Sequence, residues 1–210
     1  MAKKLILSLD ITDKTQALKI MKEAGEYIAM VKLSHYVVSS FSNQDIKEIV
    51  KNTPIMLDLK FYDIPNTVLN AIESYTKALE NVSYFTFNGS MDSKTLRKIS
   101  EIKFSKGVSV LILSSEDVNS KEFIKKAKTN YECGIRNFIC PVAYIGDLKN
   151  ELGNDIILFT PGVRSALDKN DDHSETKNVQ EVIELGSNYV IVGRPIIQST
   201  DIATKIKEYL

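Results

Sequence analysis

The chain has 210 residues, 43% hydrophobic and 26% charged, with 27 basic residues balancing 27 acidic ones and no Trp. That balance excludes the basic excess of a nucleic-acid groove or of a protein held on an anionic membrane surface. A small anionic ligand remains open, because a few placed charges do not move the total.

The N-terminal stretch MAKKLILSLDITDK is basic, then apolar, and its apolar run breaks at Asp10. The run is too short for a signal peptide or a membrane span. It predicts a first strand over 4–10 in a cytoplasmic protein. A helix is expected over 13–24, a second strand over 27–33 (YIAMVKL), a helix over 43–51 and a third strand over 54–60 (PIMLDLK). Helix 65–80, strand 83–88, helix 92–101, strand 107–113 and a lysine-rich helix over 120–131 follow. The last third predicts strand 135–140, a weak helix over 143–150, strand 155–160, helix 177–185, strand 188–193 and helix 198–209. Cys133 and Cys140 fit no zinc spacing and no disulfide framework, so they read as small core residues of a reduced protein.

Strands rich in Ile, Val and Leu on both faces, each followed by a helix, argue for a parallel sheet covered by helices. Gly25, Gly107, Gly134, Gly153 and Gly186 sit where helices end and strands begin, positions that favour a left-handed residue. Gly89, Gly162 and Gly193 follow strands 4, 7 and 8, where a glycine lets a ligand approach the backbone. Eight such units across 1–210, with no linker, predict one (β/α)₈ TIM barrel domain. A doubly wound open sheet is the alternative, but LDITDK after strand 1 is no dinucleotide-binding turn.

In such a barrel the C-terminal strand ends carry the active site. Strand 1 ends in Asp10, strand 2 has Lys32, and strand 3 has Asp58 and Lys60 with Asp63 just beyond. Asp58 and Lys60 are two apart and share a face, while Leu57 and Leu59 take the other. An Asp10–Lys32–Asp58–Lys60 chain would offset the several kcal/mol that burying one charge costs. TPGVR (160–164) and VGRPI (192–196) follow strands 7 and 8, where this fold often grips phosphate. Arg194 supplies a planar cation suited to phosphate oxygens. The long polar stretch SALDKNDDHSETKN (165–178) reads as a lid, and His35 as a rim residue.

DLKFYDIPNT (58–67) resembles the signature of the orotidine 5′-phosphate decarboxylase family, Asp-x-Lys-x-x-Asp-Ile-Pro-x-Thr. LSLDI, VKLS, LILSS, TPGVR and IVGRPI extend the resemblance over nearly the whole chain. It implies a cofactor-free homodimer that converts orotidine 5′-monophosphate (OMP) to UMP and CO₂, the last step of de novo pyrimidine synthesis. It further implies that Lys60 protonates C6 within a network with Asp58, Asp63 and Lys32. Asp63 and Thr67 would reach the partner's site, and Asp10 and Lys32 would hold ribose hydroxyls. Ser114 would contact the pyrimidine. Gly193 and Arg194 would bind phosphate, with Pro161 and Gly162 shaping the loop.

The chain departs from the family's pattern in places. Asn88 stands where a histidine is common, and His173 where a glutamine usually reaches the phosphate. Asp168, Asp171 and Asp172 make that loop acidic. Two other readings stay open: a Mg²⁺-dependent sugar-phosphate decarboxylase or aldolase of the same superfamily, and a non-catalytic nucleotide-binding paralogue. The Ile-Pro-Asn-Thr continuation and the presence of all five charged residues favour the first reading over both.

Overall fold

The computed structural model describes residues 3–112, 119–165 and 178–210. Eight strands alternate with helices: β1 Leu5–Ser8, β2 Met30–Ser34, β3 Ile55–Phe61, β4 Val82–Asn88, β5 Lys106–Val110, β6 Asn137–Ile139, β7 Ile157–Pro161 and β8 Tyr189–Val192. Each pairs in parallel with the next, and β8 returns to β1 through Leu5↔Val190 and Leu7↔Val192, so the sheet closes into the expected barrel.

The described helices are α1 Lys14–Ala24, α2 His35–Ser40, α3 Asn43–Val50, α4 Pro65–Leu79, α5 Ser93–Ser100, α6 Ser120–Glu132, α7 Ile145–Leu152, α8 Val179–Glu184, α9 Arg194–Ile197 and α10 Ile202–Lys207. Their starts are written in short polar side chains. Asp13, Asp92 and Asn119 accept from the amides of Gln16, Thr95 and Glu122. Ser42 with Asp45, and Asn178 with Glu181, form reciprocal capping boxes. Pro65 opens α4 at the first turn, where its missing N–H costs nothing.

Period-2 alternation sorts the strand residues into two cores. Ile6, Met30, Met56, Tyr84, Val108, Phe159 and Ile191 fill the barrel interior. Leu5, Leu7, Val31, Leu33, Ile55, Leu57, Leu59, Phe85 and Phe87 face outward and pack in the helix layer. The same alternation places Lys32 above Met30, Asp58 above Met56 and Thr86 above Tyr84, at the upper end of the interior.

Several expected boundaries move. β1 pairs only to Ser8, leaving Asp10 in the loop beyond it. β2 starts at Met30 rather than 27, because the Tyr27 and Ile28 amides turn back to the Ala24 carbonyl and finish α1. β6 has three residues, since the Ile135 amide closes on Asn130 at the end of α6. Short helices α2 and α9 occupy stretches read as connections.

The glycines also divide. Gly134, Gly153 and Gly186 have φ of 95°, 83° and 112°, as helix ends require, but Gly25 is right-handed at −58°. Gly107 is needed for space instead: a β-carbon there would lie 2.7 Å from Ile99 and 2.9 Å from Phe87. Gly89 likewise serves packing rather than ligand approach. Its β-carbon would meet Ser109 Oγ at 2.3 Å and Leu111 at 2.7 Å. Both neighbours belong to the tight β4–β5 junction, where Asn130 donates to the Gly89 carbonyl at 2.8 Å.

Gly89→Ala therefore overpacks that junction. It should lower the urea-unfolding free energy by about 1–3 kcal/mol with an unchanged slope in denaturant. A loss within experimental error would mean the junction has slack that the fold does not use.

Candidate active site

A cleft of about 460 Å³ opens at the C-terminal ends of the strands, within the size range of small-molecule sites. Its wall is divided. Lys32, Asp58 and Lys60 from β2 and β3 make one side polar, and Val110, Ile112, Ile139, Val142 and Ile191 make the other apolar. Pro161 and Gly162, at the end of β7, complete the rim. Gly162 has φ of 77°, and a β-carbon there would meet open space.

The polar side is held by one carboxylate. Asp58 Oδ2 accepts from Lys32 Nζ at 2.8 Å, and Asp58 Oδ1 accepts from Lys60 Nζ at 2.8 Å. Asp58 Oδ1 also accepts from the Thr86 hydroxyl at 2.9 Å. The Asp58 side chain is 12% exposed and that of Lys32 13%, while Lys60 is 41% exposed and can meet a ligand. Burial alone would push the Asp58 carboxyl up. The two ammonium groups outweigh it and hold the group down at about 2.

β3 reaches this arrangement through an irregularity. Its register with β4 passes from Leu57↔Phe85 to Phe61↔Phe87, so Asp58, Leu59 and Lys60 stand against Thr86 alone. Lys60 has φ of 47°. The shared face expected for Asp58 and Lys60 is thus found, but by a kinked strand rather than regular alternation.

The expected four-membered chain is three-membered. No ion pair joins Asp10 to Lys32; Asp10 accepts instead from Ser8 Oγ and Ser34 Oγ, each at 2.8 Å. That keeps an exposed carboxylate pointed by two hydroxyls beside Lys32. Within this chain Lys60 has Asp58 as its carboxylate partner. Asp63 is exposed and spends Oδ1 on the Ile64 amide at 2.7 Å. Thr67, in the first turn of α4, is exposed too. Arg194 opens α9 behind Gly193 and makes no ion pair with any described residue. Gly193 has a packing reason as well, since a β-carbon there would lie 3.1 Å from that of Ser8. Ser114 and His173, together with Asp168, Asp171, Asp172 and most of the expected lid, lie outside the described residues.

Sequence reading missed Thr86, Ser8 and Ser34 as members of the site, and gave His35 no partner. His35 Nε2 lies 2.7 Å from the Leu59 carbonyl. A carbonyl only accepts, so Nε2 carries the proton. The available signal was the threonine in SYFTFN, a small hydroxyl at an interior-facing position near the end of the strand.

Fold and site together define a (β/α)₈ barrel with a charged cleft at the face where enzymes of this architecture keep their active sites. Residues 3–209 match the family described as Orotidine 5′-phosphate decarboxylase / HUMPS family, and the chain belongs to that family. It is 31% identical over 215 residues to the orotidine 5′-phosphate decarboxylase of Wolbachia pipientis subsp. Culex pipiens (strain wPip), covering 95% of this chain and 94% of that one. It is 29% identical over 211 residues to the enzyme of the same name from Campylobacter fetus subsp. fetus (strain 82-40), covering 93% of each. A crystal structure of orotidine 5′-phosphate decarboxylase from Lactobacillus acidophilus superposes with a TM-score of 0.80 over 99% of both chains, at 22% identity, a likeness of fold.

The Asp58 carboxyl lies below its ordinary value of 3.8, so it stabilises the folded state above about pH 4 and loses that contribution as pH falls toward 2. The shift corresponds to on the order of 2 kcal/mol. The gap in urea-unfolding free energy between wild type and Asp58→Asn should accordingly narrow as pH is lowered from about 5 toward 2. A gap that stays constant would show that Asp58 has the same affinity for protons folded and unfolded.

Proposed function

We propose that the chain is an orotidine 5′-phosphate decarboxylase, converting OMP to UMP and CO₂ without a cofactor in de novo pyrimidine biosynthesis. The observation that carries this reading is the fixed Lys32–Asp58–Lys60 chain on one wall of the cleft. Family membership and the names of the curated relatives support it.

The chemistry follows from what decarboxylation at C6 requires. Loss of CO₂ leaves an electron pair in the plane of the pyrimidine ring, where the π-system cannot delocalise it. The Lys60 ammonium is the group suited to stabilise that charge as it develops, and then to donate a proton to C6. Both oxygens of Asp58 are already engaged by ammonium groups, so the charges are set before substrate arrives and need no reorganisation during the step. The C6 carboxylate would sit against Asp58 and Lys60, and the flat ring against the apolar wall of Val110, Ile139 and Ile191. Asp10 and Lys32 would take the ribose hydroxyls. Pro161, Gly162, Gly193 and Arg194 would form the phosphate grip, joined by His173. Ser114 would meet the pyrimidine edge. The distant phosphate would supply binding energy that closes the site.

The site is proposed to be shared between two copies of the chain. Tyr62 and Ile64 are each 68% exposed and flank Asp63, an apolar rim that a second copy would cover. Asp63 and Thr67 would then complete the partner's charge network. A cytoplasmic setting fits the two free, buried thiols.

One observation keeps the sugar-phosphate reading in view: the family's description joins two names, so membership alone does not choose between them. Reaction conditions do. EDTA-treated protein should consume OMP, seen as loss of its ultraviolet absorbance, with UMP as product, and Lys60→Ala should fall by at least about 1,000-fold while keeping its circular dichroism. Turnover of pentulose phosphates with Mg²⁺, and none of OMP, would replace this reading with a metal-dependent one.

Mixing inactive Asp63→Ala and Lys60→Ala dimers should restore up to about a quarter of wild-type activity through hybrids with one intact shared site. No recovery despite demonstrated subunit exchange would place Asp63 in its own chain's site.

A further inference from the structure

The kink at Lys60 is expensive and unusually placed. A non-glycine residue at positive φ costs about 1–3 kcal/mol and persists only where its surroundings impose it. Lys51 and Glu80, the other described non-glycine residues with positive φ, sit at the ends of α3 and α4. There the chain is leaving a helix. Lys60 is inside a strand. Something must hold it, and the ladder does not, because the β3–β4 register is broken across this segment.

Two side chains, Thr86 from β4 and His35 from the start of α2 just past β2, grip the backbone on either side. The Lys60 amide donates to Thr86 Oγ1 at 2.9 Å, and the same hydroxyl gives its own proton to Asp58 Oδ1 at 2.9 Å. Thr86 is fully buried. One hydroxyl therefore fixes both the kinked backbone of Lys60 and the carboxylate that aims its ammonium. One residue back, the Leu59 carbonyl accepts from His35 Nε2–H at 2.7 Å. The register of β2 with β3 ends at Ser34↔Asp58, so Leu59 lies past the last paired residue and His35 continues the grip by side chain.

We infer that Thr86 and His35 are positioning residues for Lys60: together they clamp the Leu59–Lys60 peptide in the orientation that sends the Lys60 ammonium into the cleft. Neither is assigned contact with substrate. The inference rests on the proposed decarboxylase reading for its kinetic consequences, but its structural content does not.

The test uses two pairs of variants of the full chain. Thr86→Val keeps the volume and removes the hydroxyl, and Thr86→Ser restores it. His35→Phe removes the donor at an exposed position, and His35→Gln keeps a donor of similar reach. Thr86→Val should lower kcat for OMP by about 100-fold, the usual result of ångström-scale misplacement. His35→Phe should lower it by about tenfold, one hydrogen bond's worth. Thr86→Ser and His35→Gln should recover most of the loss, and KM and the UMP dissociation constant should move far less than kcat. Hydrogen exchange of the Lys60 amide, followed in ¹⁵N-lysine-labelled protein and assigned through Lys60→Arg, should accelerate in Thr86→Val and His35→Phe. If wild type does not turn over OMP, the decarboxylase reading falls, and the exchange measurement still decides the clamp. Unchanged exchange in both disruptive variants, or faster exchange with kcat intact, overturns the inference. So does a kcat loss that the conservative variants fail to rescue.

Discussion

The site depends on a single buried carboxylate whose two oxygens are both taken by ammonium groups. Asp58 alone at 12% exposure would be driven toward its neutral form; with Lys32 and Lys60 at 2.8 Å it is held ionised instead. Each member justifies the burial of the others, which is why removing one partner of such a set costs more than the set contributes as a whole. The barrel supplies what this needs. Adjacent parallel strands present interior positions at fixed spacing, so Lys32 and Asp58 meet without either leaving its strand.

Regular strand geometry does not deliver Lys60. A third interior residue on an unbroken β3 would continue straight up the wall. The register shift after Leu57 gives β3 two more residues than β4 over the same span, and the excess turns Lys60 back over Asp58. Phe61 then resumes pairing with Phe87 and packs against Tyr75 and Phe85 in the helix layer, at ring separations of 6.1 and 6.2 Å. The kink is thus pinned at both ends by ordinary core packing. Its strained centre is Lys60, the most exposed member of the charge chain and a lining residue of the cleft, and stored strain commonly falls at such clefts.

This arrangement explains what sequence could and could not disclose. Runs of Ile, Val and Leu between capped helices made the eight strands legible, and the spacing of Asp58 and Lys60 made their shared face legible. A two-residue period reports which face a side chain takes, however, not the φ of the residue that carries it. The kink had no signal in LDLKF, and without the kink Thr86 reads as a β-branched residue suited to any strand. His35 opens α2, a helix too short to show periodicity. Asp10 was expected to extend the ion chain, but β1 ends two residues earlier and Ser8 and Ser34 reach it first. Gly107 reads as a helix-end glycine and Gly89 as one that admits a ligand, yet both are imposed by packing that leaves no room for a β-carbon. Asp63 and Thr67 pose a different limit: both are exposed in this chain, and nothing in their local sequence says what they would face.

The division of the cleft follows from the same constraint. A charge chain works at full strength only where water is scarce, because solvent screens it. Val110, Ile139 and Ile191 face the charges across the cleft and exclude water from one side, and they offer a flat ligand no competing hydrogen bonds. Fixed dipoles on one wall and an inert surface on the other leave orientation to the groups at the rim. Arg194, free of any described carboxylate, directly follows β8 and Gly193, far along the sequence from β3. β2 and β3 carry the charges of the cleft, and β7 ends in Pro161 and Gly162 on its rim. Only closure of β8 on β1 brings them to the same mouth.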